Sequence, residues 1–114
     1  MGRDGELAER VRAALAGRDD VREVRMFGGL SFMVAEKLAV SANPAGRLLV
    51  RCDPGRVDDL LAEDGARWAE MRGKPMGKGW ITVDASGVAS DRALASWIEE
   101  ALAYNAKARA AGES

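Results

Sequence analysis

Four successive short runs, near 21–27, 30–35, 38–42 and 47–52, carry apolar residues at every second position. They are Val24 and Met26, then Leu30, Phe32 and Val34, then Leu38 and Val40, then Leu48, Val50 and Cys52. A period of two turns one side of each run towards a core and the other towards solvent, as half-buried antiparallel strands do. Gly28-Gly29, Glu36-Lys37 and Asn43-Pro44-Ala45-Gly46 separate the runs. These are turn-forming residues, and they predict a meander of local hairpins without crossover helices.

Helical spacing brackets the meander. Leu7, Val11, Ala14 and Leu15 recur from about Asp4 to Ala16, with Asp4 as cap and Gly17 as stop. After the meander, Asp53-Pro54 is the start signal of a helix that carries Val57, Leu60 and Leu61 and ends near Gly65. Runs at 67–71 and 79–84 predict two more strands joined by the loop 72–78. The aromatic and β-branched residues Trp80-Ile81-Thr82-Val83 mark the second of them. Ser90 or Asp91 caps a last helix over about 91–109, striped by Leu94, Trp97, Ile98, Ala101, Leu102 and Ala103, with Tyr104 on its flank. The order α-β4-α-β2-α predicts an α+β fold, a two-layer antiparallel sheet with helices on one face. A length of 114 residues suits one domain over 1–114.

This alternation turns Leu30, Phe32, Leu48, Val50, Ile81 and Val83 towards the helices. The opposite face then carries Met33, Ala39, Ser41, Leu49, Arg51, Trp80 and Thr82, too apolar a set for a freely solvated sheet. Such a face points to a protein partner or a homodimer, with Met33, Leu49, Arg51 and Trp80 as the candidate interaction residues.

Composition narrows the chemistry. The chain has no histidine and a single cysteine, Cys52. The commonest general base and the commonest metal ligand are therefore both missing. Cys52 falls in phase with Leu48 and Val50 and reads as a small core residue. Adjacent carboxylates such as Asp58-Asp59 and Glu99-Glu100 point about 100° apart on a helix and cannot converge on one ion. The expectation is a protein that is not an enzyme, with no catalytic residues, no cofactor and no metal.

The segment between Gly73 and Gly79 fails as a phosphate-binding loop. Gly73 and Gly77 enclose three residues, Lys78 precedes a glycine, and a strand follows where a helix is needed. Arg67, Arg72, Lys74 and Lys78, with Trp68 and Trp80 nearby, are candidate nucleic-acid contacts. The 17 basic residues, however, are balanced by 18 acidic ones, which argues against broad binding to a polyanion. No apolar run approaches the roughly 20 residues of a membrane-spanning helix, and the polar start of the chain gives the cytoplasm as the expected location.

The run Arg25-Met26-Phe27-Gly28-Gly29-Leu30-Ser31-Phe32-Met33 resembles the opening signature of the TfoX (Sxy) N-terminal domain family. Gly73-Lys74-Pro75-Met76 followed by Gly79-Trp80-Ile81-Thr82-Val83-Asp84 is similar to a second family segment. Leu94-Ala95-Ser96-Trp97 with Ala101-Leu102-Ala103-Tyr104 is similar to its closing helix. The resemblance implies a two-layer α+β fold and a non-catalytic, transcription-associated regulatory role of the kind that names the family after competence regulators. Longer members carry a second helical domain, so this chain is expected to be the stand-alone first one. Two other readings compete with an interaction domain. One is direct nucleic-acid binding through 67–80. The other is a small ligand-binding protein, which would need a polar cleft around Arg25, Arg51 and Lys74.

Overall fold

Alternation along the chain becomes a six-stranded antiparallel sheet. The computed structural model describes residues 5–26, 29–71 and 73–111. Strands β1 (Val21–Met26), β2 (Gly29–Val34), β3 (Lys37–Ala42) and β4 (Leu48–Arg51) form the meander. The edge strand β5 (Ala66–Trp68) follows, and β8 (Trp80–Val83) inserts between β4 and β5, giving the order β1-β2-β3-β4-β8-β5. Helix α1 (Gly5–Ala14) and the long helix α3 (Asp91–Ala110) pack on one face, both against β3.

Register explains the core. Phe32 pairs with Val40, Val40 with Val50, and Val50 with Ile81, so four apolar side chains cross the sheet in one row. A second row runs Leu30, Ala42, Leu48, Val83 and Ala66. Leu7, Ala8 and Val11 from α1, Leu15 just beyond its end, and Leu94, Trp97, Ile98 and Ala101 from α3 close over these rows, all buried. Each valine, leucine or isoleucine so buried contributes roughly 1.5–3 kcal/mol before entropy. On α1, Ala8 takes the inward place expected for Ala14, which is exposed. Asp4, the expected cap, lies outside the described residues.

Several predicted boundaries move, each for a local reason. The first hairpin pairs Met26 with Gly29, so Gly29 is a strand residue instead of half of a Gly28-Gly29 turn; Gly28 lies outside the described residues. Gly29 has no positive φ. What requires glycine there is space, because a Cβ would sit 2.3 Å from the Ala42 carbonyl oxygen. The next turn is Ala35-Glu36, one residue earlier than the sequence suggests, and both residues are left-handed, with φ of 53° and 67°. That geometry matches the twist of a two-residue hairpin, but costs about 1 kcal/mol or more per residue without glycine or asparagine. A bulge then shifts the β2–β3 register, so that Phe32 faces Val40 while Met33 faces Leu38. Leu38 is thereby moved to the side opposite Val40.

The predicted 53–65 helix shrinks to a 3-10 turn over Pro54–Arg56 and a short α2 (Val57–Leu60). Asp53 caps it as expected, its carboxylate accepting from the Gly55 N–H at 2.9 Å. Beyond Leu60 the bonds tighten to three-residue turns, and left-handed Gly65 reverses the chain into β5. The predicted 67–71 strand breaks at buried Ala69. β5 stays on the sheet, whereas β6 (Glu70–Met71) and β7 (Lys74–Pro75) form a separate hairpin inside what had read as strand and loop. The Met76 N–H returns to the Ala69 carbonyl at 2.9 Å and anchors that hairpin.

Candidate functional site

The face away from the helices is not one open surface. Ser31, Ser41, Leu49, Thr82 and Arg67 form a row across it. Met76 and Glu70, from the hairpin side, meet Ser41, Leu49 and Thr82 around a depression of about 170 Å³. Ser31 and Ser41 are fully covered and joined by a 3.0 Å hydroxyl–hydroxyl bond, which satisfies two polar groups that burial would otherwise penalise.

The more open part lies where β2 and β4 end and β3 and β8 begin. Arg51, the last residue of β4, stands opposite Trp80, the first of β8. The guanidinium carbon of Arg51 is 5.0 Å from the Trp80 ring centroid and 4.8 Å from that of Tyr104, which α3 supplies. Both rings are within cation–π range. The same group donates from Nη1 to the Gly79 carbonyl and from Nη2 to the Tyr104 hydroxyl, each at 3.3 Å. Both acceptors are neutral, and among the described residues Arg51 has no carboxylate partner.

Three local features hold this group in place. Gly79 (φ +92°) lets the strand pass so close that a Cβ would lie 2.2 Å from Arg51 Nη1. Its carbonyl also takes the Cys52 N–H at 2.8 Å. Buried Asn105 donates from Nδ2 to the Val34 carbonyl at 3.0 Å and accepts from Arg109, which fixes the end of α3 and with it Tyr104. The left-handed Ala35-Glu36 turn supplies the far rim.

Together these elements enclose a cleft of about 360 Å³ whose apolar lining comes from Met33, Leu38 and Ala108 besides the two rings. Lys37 and Glu36 stand at its margin. Glu36 is clamped by Arg22, with N···O distances from 2.6 to 3.1 Å, and this hydrogen-bonded ion pair holds its carboxyl below the ordinary range.

Of the residues singled out in the sequence, Met33, Arg51 and Trp80 meet in this cleft, and Leu49 lies apart under the hairpin. Arg25 and Lys74 do not line it. Arg67 pairs with Asp84, Lys74 and Lys78 are exposed, and Arg72 lies outside the described residues. Trp68 is exposed, at 41%, while Trp80 is committed to Arg51. Tyr104, Leu38 and Asn105 were not foreseen as part of a site; an arginine and a tryptophan at facing strand ends was the available signal. Cys52 is buried, and that burial pushes its thiol up to about 11, far from a reactive thiolate. Among the described residues no cluster of Cys, Asp or Glu is arranged for a metal, and no helix is long and apolar enough to cross a membrane.

Fold and cleft together define an α+β sheet domain with helices on one face and an arginine-centred cleft at one sheet end. The chain belongs to a specific family within that class: residues 13–104 match the TfoX N-terminal domain. A crystal structure of a protein from Pseudomonas syringae shares the fold, with a TM-score of 0.61 and 18% identity over 89% of this chain and 96% of that one. Comparison with curated proteins gives no match.

Proposed function

We propose that this chain is a non-catalytic regulatory domain that acts by recognition, with the Arg51 cleft as its binding site. One observation carries this reading: a half-buried guanidinium lies within cation–π range of two aromatic rings at the wall of a cavity and, among the described residues, is bonded to neutral oxygens alone. Arginine and aromatic residues in such settings supply much of the energy of recognition. Of the charged groups beside them, Lys37 and Glu36 stand at the margin and Glu36 is held in an ion pair with Arg22, an arrangement that favours binding. Three of the four residues of the expected interaction face lie in it. The regulatory role linked to transcription that the family resemblance implies would then follow from occupancy of this cleft.

The test is a chemically diverse fragment screen read by amide and indole NMR shifts. Hits are expected to cluster on Leu38, Arg51, Trp80 and Tyr104. Hits confined to the Lys74–Lys78 hairpin and abolished by salt would replace this reading with nucleic-acid binding.

A further inference from the structure

The composition of the cleft narrows what can occupy it. Arg51 uses two of the five N–H donors of its guanidinium within the protein. Trp80 and Tyr104 hold the planar fork in a fixed orientation, the pre-organised state in which arginine recognises a carboxylate through paired hydrogen bonds. A second cation, Lys37, borders the cavity. The acid beside it, Glu36, is already neutralised by Arg22. The cleft is therefore electropositive although the chain as a whole carries a net charge of -1.

Most of the remaining lining is apolar, and the Asn105 amide that joins it is already bonded at both ends. Met33, Leu38 and Ala108 face the cavity with the rings, which suits a hydrocarbon body. A cavity of 150 Å³ holds benzene, so about 360 Å³ corresponds to roughly fourteen non-hydrogen atoms at most. We infer that the cleft binds a small monocarboxylic acid, its carboxylate on the Arg51 fork and its apolar body against Met33, Leu38 and Ala108. This assignment rests on the reading of the cleft as the binding site and adds the chemical class of its ligand.

The experiment titrates wild-type protein with 4-phenylbutyrate, its neutral analogue 4-phenylbutyramide, and acetate, following the Arg51 Nε, the Trp80 indole and backbone amides by NMR. The acid is expected to shift the cleft signals and to bind at least about tenfold more tightly than the amide, as a charge-assisted pair would give. Acetate, without the apolar body, is expected to bind more weakly than 4-phenylbutyrate. Arg51→Gln should abolish the preference of acid over amide, while Lys74→Gln keeps it. Equal binding of acid and amide would overturn the carboxylate assignment yet leave the cleft as a recognition site. Absence of cleft shifts with all three compounds would overturn both. The acid–amide comparison uses wild-type protein alone, so it decides the matter even if Arg51→Gln does not fold.

Discussion

Arg51 and Trp80 face each other across neighbouring strands, with the guanidinium carbon 5.0 Å from the centre of the indole ring. Because the Tyr104 ring also approaches the guanidinium, at 4.8 Å, the arrangement depends on a helix that arrives half the chain later. The cation is held by ring faces and two neutral oxygens, which fixes its direction without cancelling its charge.

A double-mutant cycle should detect that contact. Arg51→Ala and Trp80→Ala, singly and together, are expected to show a coupling of about 1 kcal/mol in chemical denaturation, within the range for partly desolvated cation–π pairs. Strict additivity would mean that the stacking contributes nothing to the native state.

Gly79→Ala should be more damaging than Gly73→Ala. Both positions have positive φ, +92° and +80°, but a Cβ at Gly79 meets Arg51 at 2.2 Å, whereas Gly73 has open space. The shared backbone strain is worth about 1–2 kcal/mol, and the crowding adds to it only at Gly79. Thermal unfolding should place Gly79→Ala lower by several degrees, since about 1 kcal/mol shifts Tm by roughly 4–8 °C at this size. Equal losses would mean that close approach to Arg51 is not what requires this glycine.

Ala35→Asn should stabilise the protein. Ala35 sits at φ 53°, where asparagine is far better tolerated, and its N–H bond to the Asp20 carbonyl at 2.9 Å is retained. The expected gain is about 0.5–1 kcal/mol, read as a raised denaturation midpoint with unchanged slope. A lowered midpoint would show that the turn is not strained.

Cys52 should make stability fall on the alkaline side. Its thiol titrates at about 11 in the folded protein because burial opposes the thiolate, against about 8.5 in an unfolded chain. The unfolded state therefore releases its proton first, and stability declines as pH rises from about 9 to 11. Cys52→Ala is expected to be less stable at neutral pH, through the cavity it leaves, and to lose part of this alkaline slope. Parallel profiles for the two proteins would show that the thiol makes no contribution.

Strict alternation made most of the sheet legible. Phe32, Leu48, Val50, Ile81 and Val83 all point inward as their spacing requires. What escaped were events that break a period without leaving a residue signature. The Ala35-Glu36 turn lacks the Asn-Gly pair that normally marks such a hairpin, and the bulge beyond it sends Leu38 to the cleft side because a one-residue shift exchanges the faces of a strand. Ala69 breaks a run that looked continuous, and Asp53-Pro54 announced a helix start without any signal for its early end at Leu60. For the site, Met33, Arg51 and Trp80 stood out as apolar or stacking groups on a sheet face. Tyr104 could not be joined to them, since its role depends on where α3 crosses the sheet.

The Asn105–Val34 bond joins positions 71 residues apart, and the cleft lies against that seam. One wall comes from the first-half hairpins together with Trp80 of β8, the other from the final turns of the last helix. No partly folded intermediate lacking a docked α3 can present Arg51 with both rings against it. Recognition is thus reserved for the finished molecule, and whatever occupies the cleft will also slow the departure of the helix that completes it.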